Sequence, residues 1–143
     1  MGTPVFQPIS AIVATMLVAT GTACAADSAS EESAPLIEYH RSGGIRGTSD
    51  RLTVERDGTA TRSRGDTTSE ITLAPRVMDR LHRILQQIDW SALQREYAGR
   101  GGGADMYEYT LDYGNYTVHA AEAALPEGLQ PLVELLDGVL DGS

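Results

Sequence analysis

The chain is 143 residues long, and its 20 acidic and 11 basic side chains give it a formal net charge of −9. All the strongly basic residues are arginines, which removes the phosphate-gripping lysine of a P-loop and any Schiff-base chemistry. The acidic balance argues against nucleic acid or an anionic membrane surface as a partner. This length allows one domain with a modest core, and a single cysteine, Cys24, allows no disulfide within it.

Residues 1–26 carry no charged side chain, and 9–20, ISAIVATMLVAT, is an apolar run of signal-peptide length, too short to span a bilayer comfortably. Two exported readings follow. In the first, Ala23 and Cys24 mark a lipoprotein leader with Cys24 as the acylated first residue, although Gly21 stands where a larger aliphatic residue is usual. In the second, cleavage after Ala25 releases a secreted protein. A third reading, a buried helix or a misassigned start, draws on the lack of a positive residue ahead of the run. The expected location is thus outside the cytoplasm, as an envelope lipoprotein or a secreted protein, with membrane contact only through a lipid at Cys24. Residues 27–35, DSASEESAP, are small, polar and acidic, the composition of a flexible tether. The folded domain is then 36–143.

In chain order, LIEYHR (36–41) and RLTVERDGTATRSR (51–64) read as strands, with Asp57-Gly58 as a tight turn inside the second stretch. EITL (70–73) adds a short strand. PRVMDRLHRILQQI (75–88) has Val77, Met78, Leu81, Ile84, Leu85 and Ile88 at helical spacing, polar residues opposite, and Pro75 in the first turn. Ser91 and Gln94 have capping-box spacing for a short helical continuation carrying Leu93 and Tyr97. AGRGGGAD (98–104 with the following Asp105) lacks the strand-before and helix-after setting of a dinucleotide fingerprint and reads as a connector. DMYEYTLDYGNYTVHA (105–120) alternates with period two about Gly114-Asn115, which predicts a hairpin pairing Tyr113 with Tyr116, Leu111 with Val118 and Tyr109 with Ala120. A last helix starts near Gln130-Pro131 and presents Leu132, Val133, Leu136, Val139 and Leu140. The predicted class is α+β: an antiparallel sheet of four to five strands with two helices on one face, in the order β-β-β-α-β-β-α.

Catalytic chemistry finds little support in this pattern. His40, His82 and His119 are scattered, and no HExxH, CxxC or GxSxG motif occurs. Cys24 lies in the leader, away from any histidine of the domain. The carboxylates Asp105, Glu108 and Asp112 read as solvated charges on an outer face. No enzyme activity, metal or cofactor is therefore expected. The stretch Ser42, Gly43, Gly44, Ile45, Arg46, Gly47 has two readings. It is either a turn made permissive by glycine, or part of a nine-residue loop, 42–50, that exposes Ile45 and Arg46 for contact with another protein.

Taken together, Arg41-x-Gly43-Gly44 after a strand, a helix introduced by Leu73-Ala74-Pro75, the run Asp105-x-Tyr107-x-Tyr109-x-Leu111, and Leu125-Pro126 ahead of an apolar helix resemble the emfourin family of protealysin inhibitors. The resemblance covers about residues 36–140. It implies a proteinaceous inhibitor of thermolysin-like zinc metalloproteases, with a secreted enzyme of that class as partner. On this reading the 42–47 loop enters the protease cleft, Ile45 suits a hydrophobic subsite and Arg46 pairs with a carboxylate. The double variant Gly44→Val/Arg46→Ala is then expected to weaken inhibition without unfolding the domain. The leader, the acidic tether and the DGTATRSRGDTTSE hairpin depart from the family pattern. The alternative is a non-inhibitory envelope module of the same fold that binds another protein.

Overall fold

The structure, a computed structural model, describes residues 34–100, 103 and 105–142. The expected leader with Cys24, nearly all of the expected tether, and Gly101, Gly102 and Ala104 of the connector lie outside the described residues.

The strands are β1 (Ile37–Gly43), β2 (Thr48–Val54), β3 (Thr59–Arg64), β4 (Thr67–Thr72), β5 (Glu96–Tyr97), β6 (Tyr107–Tyr113) and β7 (Tyr116–Ala121). The helices are α1 (Pro75–Gln87), between β4 and β5, and α2 (Gln130–Asp141), after β7. One mixed sheet holds all seven strands in the order β4-β3-β2-β1-β6-β7-β5. Every neighbouring pair is antiparallel except β5 with β7. The α+β class is as predicted, but the sheet is larger than four to five strands and the element order differs.

Two elements account for the difference. β4 begins three residues earlier than the apolar pattern of EITL suggested, because Thr67, Thr68 and Ser69 pair with Arg64, Ser63 and Arg62 of β3; a backbone ladder needs no apolar side chains. The continuation expected after α1 is not an α-helix. Trp90–Ala92 forms a single 3-10 turn, and Glu96-Tyr97 pairs with His119-Ala120 as a parallel edge. The capping-box reading fails because Ser91 Oγ donates to Asp89 Oδ1, while the Gln94 amide donates to the Tyr97 hydroxyl.

The β6–β7 hairpin has the predicted register, including Tyr113 with Tyr116 and Leu111 with Val118, and Gly114 takes the positive φ that its turn needs (58°). Alternation along β1, β2, β6 and β7 sends Ile37, Tyr39, Leu52, Val54, Tyr109, Leu111 and Val118 to one face, all buried. Met78, Leu81, Ile84 and Leu85 of α1 and Leu132, Val133, Leu136 and Leu140 of α2 cover that face. Each fully buried leucine contributes roughly 2–3 kcal/mol, so a change such as Leu136→Ala would cost about 2–5 kcal/mol. Trp90 closes one end, stacked on Tyr113 at 4.9 Å with its indole N–H donated to the Leu85 carbonyl. The other face, with His40, Ser49, Thr110 and His119, is polar, and no helix among the described residues covers it. None of the described helices is long and apolar enough to cross a membrane.

Candidate functional site

The glycine-rich stretch is shorter as a loop than its composition suggests. β1 stays in register with β2 as far as Gly43 opposite Thr48, so the connection is the four-residue turn 44–47 and not a nine-residue excursion. Ser42 and Gly43 belong to the strand, and Gly44 is buried at the base of the turn. Ile45 is 84% exposed, and Arg46 and Gly47 are also exposed.

The first two glycines are required by close approach. A Cβ on Gly43 would lie 2.4 Å from the Met106 carbonyl oxygen, and one on Gly44 2.9 Å from the Tyr107 ring. Both residues also have positive φ, 104° and 71°, a conformation unfavourable for residues with a Cβ. Backbone bonds complete the base: the Gly44 N–H donates to the Met106 carbonyl and the Gly47 N–H to the Gly44 carbonyl. Thr48 Oγ1 donates to the Gly43 carbonyl as well. The exposed tip is therefore mounted on a base that β6 grips from the side. Gly44→Val would strain this base, contrary to the expectation that it leaves the domain folded. Gly44 is part of the scaffold, and only the tip residues can report on contact with a partner.

Beneath the turn lies a charged cluster that sequence reasoning passed over. Arg41, on the helix-covered face, is 8% exposed. Its guanidinium pairs with Asp50 of β2 at 2.9 Å and with Asp137 and Asp141 of α2 at 2.9 and 3.1 Å. Tyr39 donates its hydroxyl to Asp137, at 2.8 Å. The guanidinium also sits 5.2 Å from the centre of the Tyr107 ring, the same ring that backs Gly44. A continuous chain of contacts thus runs from the last turn of α2 through Arg41 and Tyr107 to the base of the exposed turn.

Burial disfavours charge on Arg41, but its bonds to Asp141 and Asp50 and the charge of Asp137 outweigh that effect and raise its pKa. Asp137 is also shifted upward: burial raises it, and the opposing bonds from Tyr39 and Arg41 do not fully compensate. Three carboxylates surround the one cation and hold Arg41 up, whereas each receives only part of its charge, so burial prevails at Asp137. Burial and Asp137 push the Tyr39 phenol up, and burial chiefly lifts Tyr109 to about 12. Among the described residues the Arg41 Nε has no hydrogen-bond partner, so they occupy the fork at its two ends and not along its side.

A local signal for this cluster was present. Asp137 and Asp141 stand four apart near the C-terminal end of α2, where the helix dipole disfavours negative charge, and its last turn contains no basic residue. Such a conflict calls for a cation from elsewhere in the fold. Arg41 supplies it, aided by Arg64, 3.4 Å from Asp141, and by Arg62, which donates to the Leu140 carbonyl.

On the open face, His40 Nε2 lies 3.0 Å from Ser49 Oγ and His119 Nδ1 lies 3.0 Å from Thr110 Oγ1. Among the described residues neither histidine has a hydrogen-bonded carboxylate, the third member a triad would need. His82 is exposed on α1. Among the described residues no three His, Cys, Asp or Glu side chains are grouped to hold a metal ion. Asp105 and Glu108 are exposed, and Asp112 accepts a bond from Thr117. A shallow cleft of about 340 Å³ beside the turn is lined by Ser42, Gly43, Met106, Tyr107 and Glu108 among others.

Comparison of the chain with family models found no match, and comparison with curated proteins found none either.

Proposed function

We propose that the chain is an emfourin-like, exported protein inhibitor of thermolysin-like zinc metalloproteases, and that it acts by lodging the tip of the β1–β2 turn in the protease cleft. One observation carries the reading: Ile45, the most exposed large apolar side chain described, stands at the tip of a turn whose base is gripped by β6. An apolar residue with little to contact inside its own domain suits a hydrophobic subsite of a partner. The Arg46 guanidinium beside it can pair with a carboxylate in bidentate fashion. A pre-ordered turn loses less conformational freedom on docking than a floppy loop, which leaves more of the contact energy as affinity. The resemblance in motif order over residues 36–140 points to the same target class.

Titration of the chain against a thermolysin-like enzyme with a short peptide substrate tests the reading. Stoichiometric inhibition is expected. Ile45→Asp and Arg46→Glu should each weaken it by about tenfold or more, with melting temperatures unchanged, while Arg83→Glu on the exposed side of α1 should have no effect. Absence of inhibition at micromolar concentrations would overturn the inhibitor reading in favour of a non-inhibitory binding module. Inhibition untouched by both tip variants would remove the turn from the mechanism.

A further inference from the structure

On their solvent side, α1 and α2 leave a groove of about 410 Å³, lined by Val77 and Arg80 of α1 and by Glu134, Leu135, Gly138 and Val139 of α2. Val77, Leu135 and Val139 touch the core but remain only partly buried. Gly138 is anomalous. It lies inside α2 without a positive φ, where glycine weakens a helix relative to alanine. Among the described residues nothing asks for it, since a Cβ there would meet none of their atoms within 4 Å. The missing side chain instead notches the outer wall of the groove, as close approach by another backbone or side chain requires. Arg80 and Glu134 flank the notch, both exposed, and neither takes part in a described salt bridge.

We propose that this groove is the interface of a two-fold dimer of the chain. A two-fold axis along the groove lays α1 of each copy over α2 of the other. Arg80 then faces Glu134 of the second copy, and the same pair forms again across the axis; an axis running across the groove would oppose like charges. An isologous interface must be self-complementary in this way. The partly buried valines and leucine supply the apolar contact, and the Gly138 notch receives Val77 of the second copy. The face is about 20 Å long, from the helix rise, and two helices wide. That area falls at the low end for specific interfaces, so a dissociation constant in the micromolar range is expected. The proposal is independent of the protease reading.

Sedimentation velocity of the full chain between about 1 and 300 μM, a span chosen to bracket micromolar affinity, tests it. A reversible monomer–dimer equilibrium is expected. Gly138→Gln, which fills the notch with a good helix former, should raise the dissociation constant by about tenfold or more without lowering the melting temperature. Arg80→Glu and Glu134→Arg should each weaken the dimer, and the two together should restore it, which keeps the test valid if Gly138→Gln fails to fold. A chain that stays monomeric throughout overturns the proposal. So does self-association that ignores all of these variants, since it would use another part of the chain.

Discussion

Replacing Arg41 by methionine keeps an unbranched apolar stem and deletes the guanidinium with its charge. Asp50, whose side chain is 6% exposed, then loses its ion-pair partner inside the protein, whereas Asp137 and Asp141, at 26% and 44%, can be hydrated. Breaking a buried pair costs about 3–5 kcal/mol. The exposure of two of the three carboxylates places this case at the low end, about 3 kcal/mol. At about 4–8 °C per kcal/mol for a domain of this size, the melting temperature should fall by about 12–24 °C. Urea unfolding followed by the fluorescence of Trp90, 7% exposed and stacked on Tyr113, reads the loss directly. The double variant Arg41→Met/Asp50→Leu replaces the most buried pair by apolar groups and should recover most of it, since such exchanges are often neutral. A loss below about 1 kcal/mol, of the size of an exposed pair, or a double variant as unstable as the single one, would refute a buried, energetically coupled cluster.

Two further stability tests separate effects that the structure brings together. Gly43→Ala forces a methyl group against the Met106 carbonyl and should cost upwards of about 2 kcal/mol; Gly47→Ala, at φ 58° with nothing within 4 Å, should cost only about 1–2 kcal/mol of backbone strain. Equal shifts in urea midpoint would show that close approach to β6 is not what demands glycine at 43. For Asp137, the folded pKa lies above the ordinary carboxylate value, so its favourable contribution is full below the unfolded pKa, near 4, and is lost as pH rises through the folded pKa. Asp137→Asn abolishes that dependence. Its stability relative to the parent should therefore be higher at pH 7 than at about pH 4, and parallel urea midpoints across this range would contradict the upward shift.

Much of the fold was legible because local rules and the final packing agree. The β6–β7 register followed from Gly114-Asn115 and the alternation of Tyr109, Leu111 and Tyr113, and the buried stripes of both helices followed from their apolar spacing. β4 and β5 were less legible. Thr67–Ser69 carry no apolar pattern, and Glu96-Tyr97 is a two-residue edge whose strand character exists only through its pairing with β7. At the candidate site, the stretch itself stood out by composition, but its division into two strand residues, a gripped base and an exposed tip did not. Arg41 was visible as part of a motif and invisible as the centre of an ion cluster, because Asp137 and Asp141 lie almost a hundred residues away in the chain.

By itself, the order of residues determined which segments could be strands or helices, which of their sides turn inward, and that the domain has no disulfide of its own. Those are consequences of short-range sterics and of apolar spacing, both written within a few consecutive positions. Only the tertiary structure decided that β1 continues to Gly43, that β6 presses on Gly43 and Gly44, and that one buried arginine gathers acids from a strand and a helix. Each of these depends on which distant backbone comes within a few ångströms, and contact between remote segments leaves no period in a sequence.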